Sequence, residues 1–199
     1  CCGEPLILSG QLSRARELVA HNVDRLGRTG ASTIVTSCPG CYRTLKHEYP
    51  MIGARLEAEV LHASEFIERL IDDGRIKFFG RVNARVTYHD PCVLGRLSGV
   101  YDAPRMVIKS VPGVDMVEML RNRENAWCCG GGVKAWFPEL AVEIAHDRLE
   151  EAGWAGVDTI VSGCPTCKWG IGLAAKKMRA RLQVVDLVEL VHEAMGLTT

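Results

Sequence analysis

The stretch that decides the fold reads Asp158-Thr159-Ile160-Val161-Ser162-Gly163-Cys164-Pro165-Thr166-Cys167. Its first half is a short run of β-branched and apolar residues, which is typical of a buried strand in a parallel sheet. Its second half is a Cys-x-x-Cys pair. The same combination occurs earlier as STIVTSCPGC, residues 32–41. Because the pattern repeats, we predict two copies of one α/β unit, each with cysteines beyond the carboxyl end of a strand, where open α/β sheets carry their sites.

All nine cysteines of the chain belong to two sets that follow this arrangement. The first set is Cys1, Cys2, Cys38 and Cys41, and the second is Cys92, Cys128, Cys129, Cys164 and Cys167. Soft thiolates that converge from separate loops suit a metal site. A structural zinc ion closes its shell with four ligands, so five cysteines exceed its need, whereas a cluster of several irons accepts a fifth. Zinc and disulfides remain alternatives, although adjacent cysteines seldom have disulfide geometry.

A predicted strand, Val82 to Tyr88, leads directly into His89, Asp90, Pro91 and Cys92. His89 and Asp90 admit two interpretations. They could orient a ligand thiolate or relay a proton to a substrate sulfur, since they precede a candidate ligand on the same turn. Alternatively, Asp90 caps the turn before Pro91 and His89 bonds to the backbone. We favour the second interpretation.

Other groups near the second cysteine set also have candidate roles. The glycines from Gly130 to Gly132 let backbone N–H groups approach sulfur atoms closely, and such donors raise the reduction potential of a cluster. Arg96, Lys134 and Lys168 are near enough in sequence to offset thiolate charge, but we predict that each is a solvated surface cation.

Hydrophobic periodicity predicts four helices and a further strand, and a polar helical pattern runs from Tyr42 to Tyr49. The helices run from about Ser13 to Leu26, Leu61 to Ile71, Pro138 to Ala152 and Asp186 to Met195, and the strand from Leu182 to Val185. In the helix that begins at Pro138, we expect four residues to face inward, namely Leu140, Ile144, Ala145 and Leu149. A polar connection from Asp72 to Gly80 separates the two copies, so we predict a first lobe at residues 1–78 and a second at 79–199.

Composition excludes several classes of protein. With 199 residues, of which 47% are hydrophobic, the chain can bury a sizeable core. Its net charge of zero gives no electrostatic case for binding nucleic acid. No apolar run is long enough for a membrane span, and no signal peptide opens the chain. Thiols in metal-binding spacing indicate a reducing cytoplasm. The sequence contains no nucleophile elbow, phosphate loop or dinucleotide fingerprint.

The cysteine pattern and its flanks resemble a known family. The order is a cysteine, a long gap, Cys-Cys-Gly, a second long gap and Cys-x-x-Cys. This pattern resembles the cysteine-rich "CCG" domain that occurs twice in the B and D type subunits of heterodisulfide reductase. Two flanking blocks, YHDPCVLGRLSGVYDAPR at residues 88–105 and RNRENAWCCGGG at residues 121–132, are similar to the D type. Related domains occur in iron–sulfur subunits of glycerol-3-phosphate, glycolate and lactate oxidation systems.

The resemblance implies a fold, a cofactor and partners. The fold would be two Rossmann-like lobes related by a pseudo-twofold axis, with cluster loops at the carboxyl ends of strands in short parallel sheets. The five cysteines from Cys92 to Cys167 would hold one noncubane [4Fe-4S] cluster. The first set lacks its opening cysteine, so we expect the chain to be the C-terminal portion of a longer one; its four thiols would hold a cubane cluster, a zinc ion or nothing.

The resemblance also implies a function inside a redox complex. Two clusters on either side of a disulfide would each deliver one electron. Electrons would arrive from a ferredoxin-like, flavin or membrane cytochrome subunit, and the chain would be cytoplasmic, docked at the inner face of the membrane through a partner. Two alternatives remain, namely an electron relay of a glycolate, lactate or glycerol-3-phosphate dehydrogenase type complex, with a quinone-linked substrate, and a non-enzymatic zinc-binding module.

Overall fold

The computed structural model describes residues 1–196, and within them six strands form two parallel sheets. The strands in chain order are β1 (Thr33–Thr36), β2 (Glu59–His62), β3 (Ala84–His89), β4 (Val114–Met116), β5 (Thr159–Ser162) and β6 (Gln183–Asp186). The first sheet pairs β1 with β2, and the second has the order β4-β3-β5-β6. The prediction of an α/β fold with two short parallel sheets is confirmed.

Helices connect the strands and cover the sheets. Those of the first half are α1 (Glu4–Leu8), α2 (Leu12–Gly27), α3 (Pro39–Arg43), α4 (Tyr49–Met51) and α5 (Ala63–Asp72), with a π-helical turn, Thr44–Glu48, between α3 and α4. Those of the second half are α6 (Asp102–Ser110), α7 (Pro138–Trp154), α8 (Pro165–Met178) and α9 (Leu187–Ala194), with a 3-10 turn at Arg123–Asn125. Among the described residues, no helix is long and apolar enough to cross a bilayer.

The register of the larger sheet brings the second cysteine set to one edge. Strands β3 and β5 run parallel, with His89 opposite Ser162 at their carboxyl ends. Cys92 follows β3 by one short turn, and Cys164 follows β5 in the same way. Parallel strands end at the same edge of a sheet, so the two cysteine loops meet there. The predicted placement of these loops at the carboxyl ends of strands is therefore confirmed.

The two halves end in the same supersecondary unit, a short strand followed by a capped helix. In the first half His62 caps α5 and Glu65 completes the capping box; in the second half Asp186 caps α9 and Glu189 completes it. Each box satisfies two backbone N–H groups that the first helical turn leaves unpaired. This similarity supports the predicted repeat, and the pseudo-twofold axis stays a prediction.

A shared apolar core joins the halves. Ile67 of α5 packs in one cluster with Val107 of α6 and Leu190 of α9, and the buried Val86 of β3 completes it. The two sheets lie on opposite sides of the predicted boundary between residues 78 and 79, and we propose that this boundary separates two lobes that are packed together through α5.

Local differences from the predicted elements concern short or polar segments. The helix predicted from Leu61 begins two residues later, because β2 ends at His62. The prediction that Leu140 faces inward is wrong, since its side chain is exposed, whereas Ala145 and Leu149 are buried as expected. In place of Leu140, the inner face of α7 carries Ala141.

Candidate metal centre

Three backbone segments position the five thiols of the second set. Cys92 lies in the turn after β3, and Cys128 and Cys129 lie in the loop before α7. Cys164 is the N-cap of α8, with Pro165 at the first helical position, and Cys167 lies within the first turn. Proline suits that position because its fixed φ matches the helix and its missing N–H has no partner to lose. The Cys-Pro-x-Cys sequence therefore starts the helix and aims both thiols at one point.

The five thiols form one continuous chain of contacts. The Sγ atoms of Cys129 and Cys167 are 3.0 Å apart, longer than a disulfide bond of about 2.05 Å. Cys128 contacts both Cys92 and Cys129, and Cys164 contacts Cys167. All five are free cysteines. The structure thus brings together every predicted residue of the second set.

The contacts between these thiols shift their pKa values in opposite directions. Hydrogen bonds from Cys129 and Cys92 lower the pKa of Cys128, and a hydrogen bond from Cys167 lowers the pKa of Cys164. The donors respond in the opposite sense: the hydrogen bond to Cys128 is the first cause that raises the pKa of Cys92. The thiols therefore share protons along this chain of contacts, and a bound metal would replace those protons.

Backbone N–H groups of the glycine run approach two of these sulfurs, as predicted. Gly130 N donates to Cys128 Sγ and Gly131 N to Cys129 Sγ, both at 3.4 Å. Gly130 has a φ of 74°, and a Cβ atom there would collide with the backbone of Ala141. A Cβ atom on Gly131 would be 2.5 Å from Thr166. Only glycine allows this close approach of backbone to thiol.

The histidine beside the site has a side-chain partner. His89 is 1% exposed, and its Nδ1 accepts a hydrogen bond of 3.1 Å from Nε of Arg148, on α7. Burial first, and the Arg148 charge second, lower the pKa of His89 to about 3. A ring nitrogen of His89 lies within 4.8 Å of the Sγ atoms of Cys129 and Cys167. The favoured interpretation, that His89 bonds to the backbone, is wrong, because the partner of its ring is the side chain of Arg148.

The acidic residue before Pro91 belongs to a buried ion pair. Both Asp90 oxygens accept hydrogen bonds from Arg105, at 2.7 and 2.9 Å, and Oδ2 also accepts from the backbone N–H of Arg123 at 2.8 Å. Arg105 also donates to Glu118. Burial alone would lower the pKa of Arg105, but the hydrogen bonds to Asp90 and Glu118 raise it overall. The favoured turn-capping role of Asp90 is therefore wrong, and the residue anchors the segment that presents Cys92.

The three predicted surface cations each have a partner. Arg96 donates to the carbonyls of Glu124 and Ala126 and so ties the Cys92 loop to the segment before Cys128. Lys168 pairs with the capping-box Glu189, and Lys134 lies 4.6 Å from the ring centre of Trp169. Of the three, Arg96 alone bridges two cysteine-bearing segments.

Three thiols of the first set also come together. Cys41 contacts Cys2 and Cys38, and burial followed by these contacts raises its pKa. Cys1 is exposed. Gly3 has a φ of 95°, the same left-handed region as Gly130. The first set therefore repeats the left-handed glycine and the thiol contacts of the second set, with three thiols in contact instead of five.

A buried histidine links the two cysteine loops. His62 Nδ1 accepts from the Ser64 N–H at 3.2 Å, so Nε2 carries the proton. It lies 3.3 Å from Ser37 O and 3.0 Å from Gly163 O, the carbonyls directly before Cys38 and Cys164. Sequence reasoning missed this residue, together with Arg105 and Arg148. For Arg148 a signal exists, because it falls in the stripe of small inward residues on α7.

Comparisons with known proteins find a family model and several relatives that match this chain. The family described as "Cysteine-rich domain" (CCG) matches residues 1–46 and 86–172, more than half of the chain. The whole chain is 42% identical, over 205 residues, to the D subunit of the "Dihydromethanophenazine:CoB--CoM heterodisulfide reductase" of Methanosarcina barkeri, and it covers 50% of that protein.

Other curated relatives are also redox proteins by name. The chain is 40% identical to the B subunit of the "Fumarate reductase (CoM/CoB)" of Methanothermobacter marburgensis, and the alignment covers 94% of the chain and 38% of the relative. It is 33% identical to "EtfAB:quinone oxidoreductase" of Syntrophomonas wolfei, and that alignment covers 98% of the chain and 28% of the relative. The chain spans about half or less of the length of these relatives. With the family match over both cysteine sets, the chain belongs to the CCG cysteine-rich domain family.

Proposed function

We propose that this chain is an iron–sulfur electron-transfer and disulfide-reducing subunit of a heterodisulfide reductase-like complex. The observation that carries the proposal is the continuous contact of five thiols, from Cys92 through Cys128, Cys129 and Cys167 to Cys164. A tetrahedral zinc ion uses four ligands, so one thiol would be left over in a buried site. Five soft ligands fit a centre with several irons.

The site also has the surroundings that an iron–sulfur centre needs. A bound cluster would supply the ability to accept and pass on single electrons. The N–H groups of Gly130 and Gly131 offset the negative charge of the sulfurs, and the fold excludes water from Cys129, Cys164 and Cys167, which are buried. We propose that the cluster is the noncubane [4Fe-4S] type, with all five thiolates as ligands.

For the first set, we propose a second metal site. Cys2, Cys38 and Cys41 already lie in contact, and Cys1 is adjacent in sequence and exposed. Four thiolates suit either a cubane cluster or zinc. Metal analysis of a Cys41→Ser variant would separate these, because iron loss indicates a cluster and zinc loss indicates a structural ion.

The names of several relatives, which are subunits of reductases, support the presence of partner subunits. We propose that this chain receives electrons from a ferredoxin-like, flavin or membrane cytochrome subunit, in the cytoplasm or at the inner face of the membrane. The relative named as a quinone oxidoreductase favours a second candidate, an electron relay toward quinone. Turnover of the purified complex with a small-molecule disulfide, compared with a soluble quinone analogue, would separate the two.

The experiment that tests the central proposal is anaerobic purification followed by iron, zinc and acid-labile sulfide analysis. We expect iron and sulfide in comparable amounts. Zinc without sulfide would establish the zinc-binding alternative and overturn the proposal.

A further inference from the structure

The ring of His89 has one nitrogen without a partner. Among residues 1–196, Nε2 is a buried nitrogen with no hydrogen-bond partner in the protein. A buried polar group that lacks a partner has lost its hydrogen bonds to water without replacement, so such groups are rare in folded proteins and each requires an explanation, such as an ion or a redox role. The other ring nitrogen, Nδ1, is occupied by Arg148.

Arg148 determines which ring nitrogen carries the proton. A guanidinium group is a donor only, so its Nε–H must meet the lone pair of His89 Nδ1. A neutral imidazole has one lone pair and one N–H, and the proton therefore lies on Nε2. Arg148 is 0% exposed and cannot turn away readily, since its Nη1 also donates to Arg121 O at 2.8 Å and to the carboxylate of Glu151.

The position of the ring gives this free N–H a target. A ring nitrogen of His89 lies within 4.8 Å of the sulfurs of Cys129 and Cys167. Because Nδ1 faces Arg148, Nε2 is the nitrogen left for the thiol side. We propose that His89 is a positioning residue of the metal centre. When the centre is loaded, the Nε2–H, which has no partner in the protein alone, donates a hydrogen bond to a sulfur on the Cys129–Cys167 side, while Arg148 fixes the tautomer.

The same geometry argues that His89 is not itself a metal ligand. Imidazole binds a metal through a lone pair, and the lone pair of this ring is directed at Arg148. Coordination through Nε2 would place a proton on Nδ1, against the N–H of a buried guanidinium. The group of His89, Cys129 and Cys167 has the spacing of a three-ligand metal site, but its nitrogen contributes a proton instead of an electron pair.

The expected consequence is a higher reduction potential, an inference that rests on the proposed function. A hydrogen bond to a charged sulfur is stronger for the more negative, reduced state, so the donor favours reduction. Removing one such bond should change the ratio of reduced to oxidised centre about tenfold, which is about 59 mV for one electron. The shift should be toward more negative potential.

The direct test is pulsed electron paramagnetic resonance on the intact, loaded protein with 15N-labelled histidine. We expect a weak histidine nitrogen coupling to the reduced centre and a proton coupling that disappears in D2O. A strong coupling typical of a coordinated nitrogen, or the absence of any nitrogen coupling, would overturn the inference. This measurement uses unaltered protein, so it does not depend on how a variant folds.

Variants provide a second test through the potential. His89→Leu removes the donor, and His89→Gln retains an N–H at a similar reach. His146→Leu, on the same helix as Arg148 but partly exposed, is the matched control. We expect a more negative midpoint for His89→Leu, partial return for His89→Gln and no change for His146→Leu. Equal midpoints in all four proteins would contradict the inference, whereas unaltered protein without iron and sulfide would contradict the proposed function instead.

Discussion

Replacing Asp90 by asparagine should destabilise the fold strongly, because it removes one charge of a buried pair. The side chains of Asp90 and Arg105 are 2% and 4% exposed. The substitution keeps the shape but leaves the Arg105 charge facing an amide, and it weakens the acceptor for the Arg123 N–H. Breaking a buried ion pair from one side costs about 3–5 kcal/mol.

The structure places the expected loss at the lower end of that range. Glu118 still accepts two hydrogen bonds from Arg105, at 2.6 and 3.0 Å, so the guanidinium keeps one carboxylate. We therefore expect about 3 kcal/mol, which for a chain of this length lowers the melting temperature by roughly 6–12 °C. Cys92 follows Asp90 by two residues, so iron retention should fall as well.

Thermal unfolding followed by circular dichroism measures the effect, with Asp102→Asn as the control. Asp102 also pairs with an arginine, Arg123 at 2.7 Å, but its side chain is 78% exposed, and such surface pairs contribute less than about 1 kcal/mol. If Asp90→Asn is as stable as the control, the buried pair does not stabilise the Cys92 segment. A double variant, Asp90→Leu with Arg105→Leu, should recover much of the loss, since no charge is left buried alone.

Three further predictions concern the cysteine sites and pH. Cys129→Ser should remove most of the paramagnetic signal of the second site and Cys1→Ser should spare it, as measured on reduced protein; the opposite result would misplace the intact centre. Gly130→Ala should lower the melting temperature, because the left-handed φ and the adjacent backbone leave no room for a Cβ atom; the expected cost is roughly 1–3 kcal/mol of unfolding free energy. Gly132→Ala is the control and should be near neutral, since a Cβ atom there has no neighbour within 4 Å. Burial lowers the pKa of His62, so below pH 6.5 the unfolded state binds a proton that the folded state does not bind. The free energy of unfolding should therefore fall by up to about 1.4 kcal/mol for each pH unit below 6.5. Urea midpoints at pH 7.5 and 5.5 should show a smaller drop in His62→Asn than in the unaltered protein.

The fold class and the cysteine loops could be predicted because their signals are local. A β-branched run followed by Cys-Pro-x-Cys indicates a strand and the cysteine loop beyond its carboxyl end within ten residues. Helix α8, by contrast, was not predicted, since its inner face carries small residues such as Gly170, Ala174 and Ala175. Such residues give weak hydrophobic periodicity, although they allow close packing. Strand β2 is only four residues long and merges with the apolar pattern of α5.

The polar support of the site depends on contacts that are distant in sequence. Asp90 meets Arg105 and His89 meets Arg148 only after the sheet and helices have formed. A single sequence does not indicate which buried carboxylate pairs with which cation, because several pairings have similar local patterns. For Arg148 the helical phase with Ala141 and Ala145 was visible, but a charged residue on that face conflicts with the rule that arginine is seldom fully buried.

The hydrogen bonds of His62 to both cysteine loops limit how the chain can be divided into parts that fold separately. His62 belongs to the first half in sequence, yet one of its hydrogen bonds ends on Gly163 in the second, and the helix that it caps packs on α6 and α9. A protein engineer who expressed residues 79–199 alone would expose the apolar surface that Ile67 covers and leave the Gly163 carbonyl open. Modular swapping of CCG units between relatives should therefore carry the segment from β2 through α5 along with the second half, although it precedes that half in the chain.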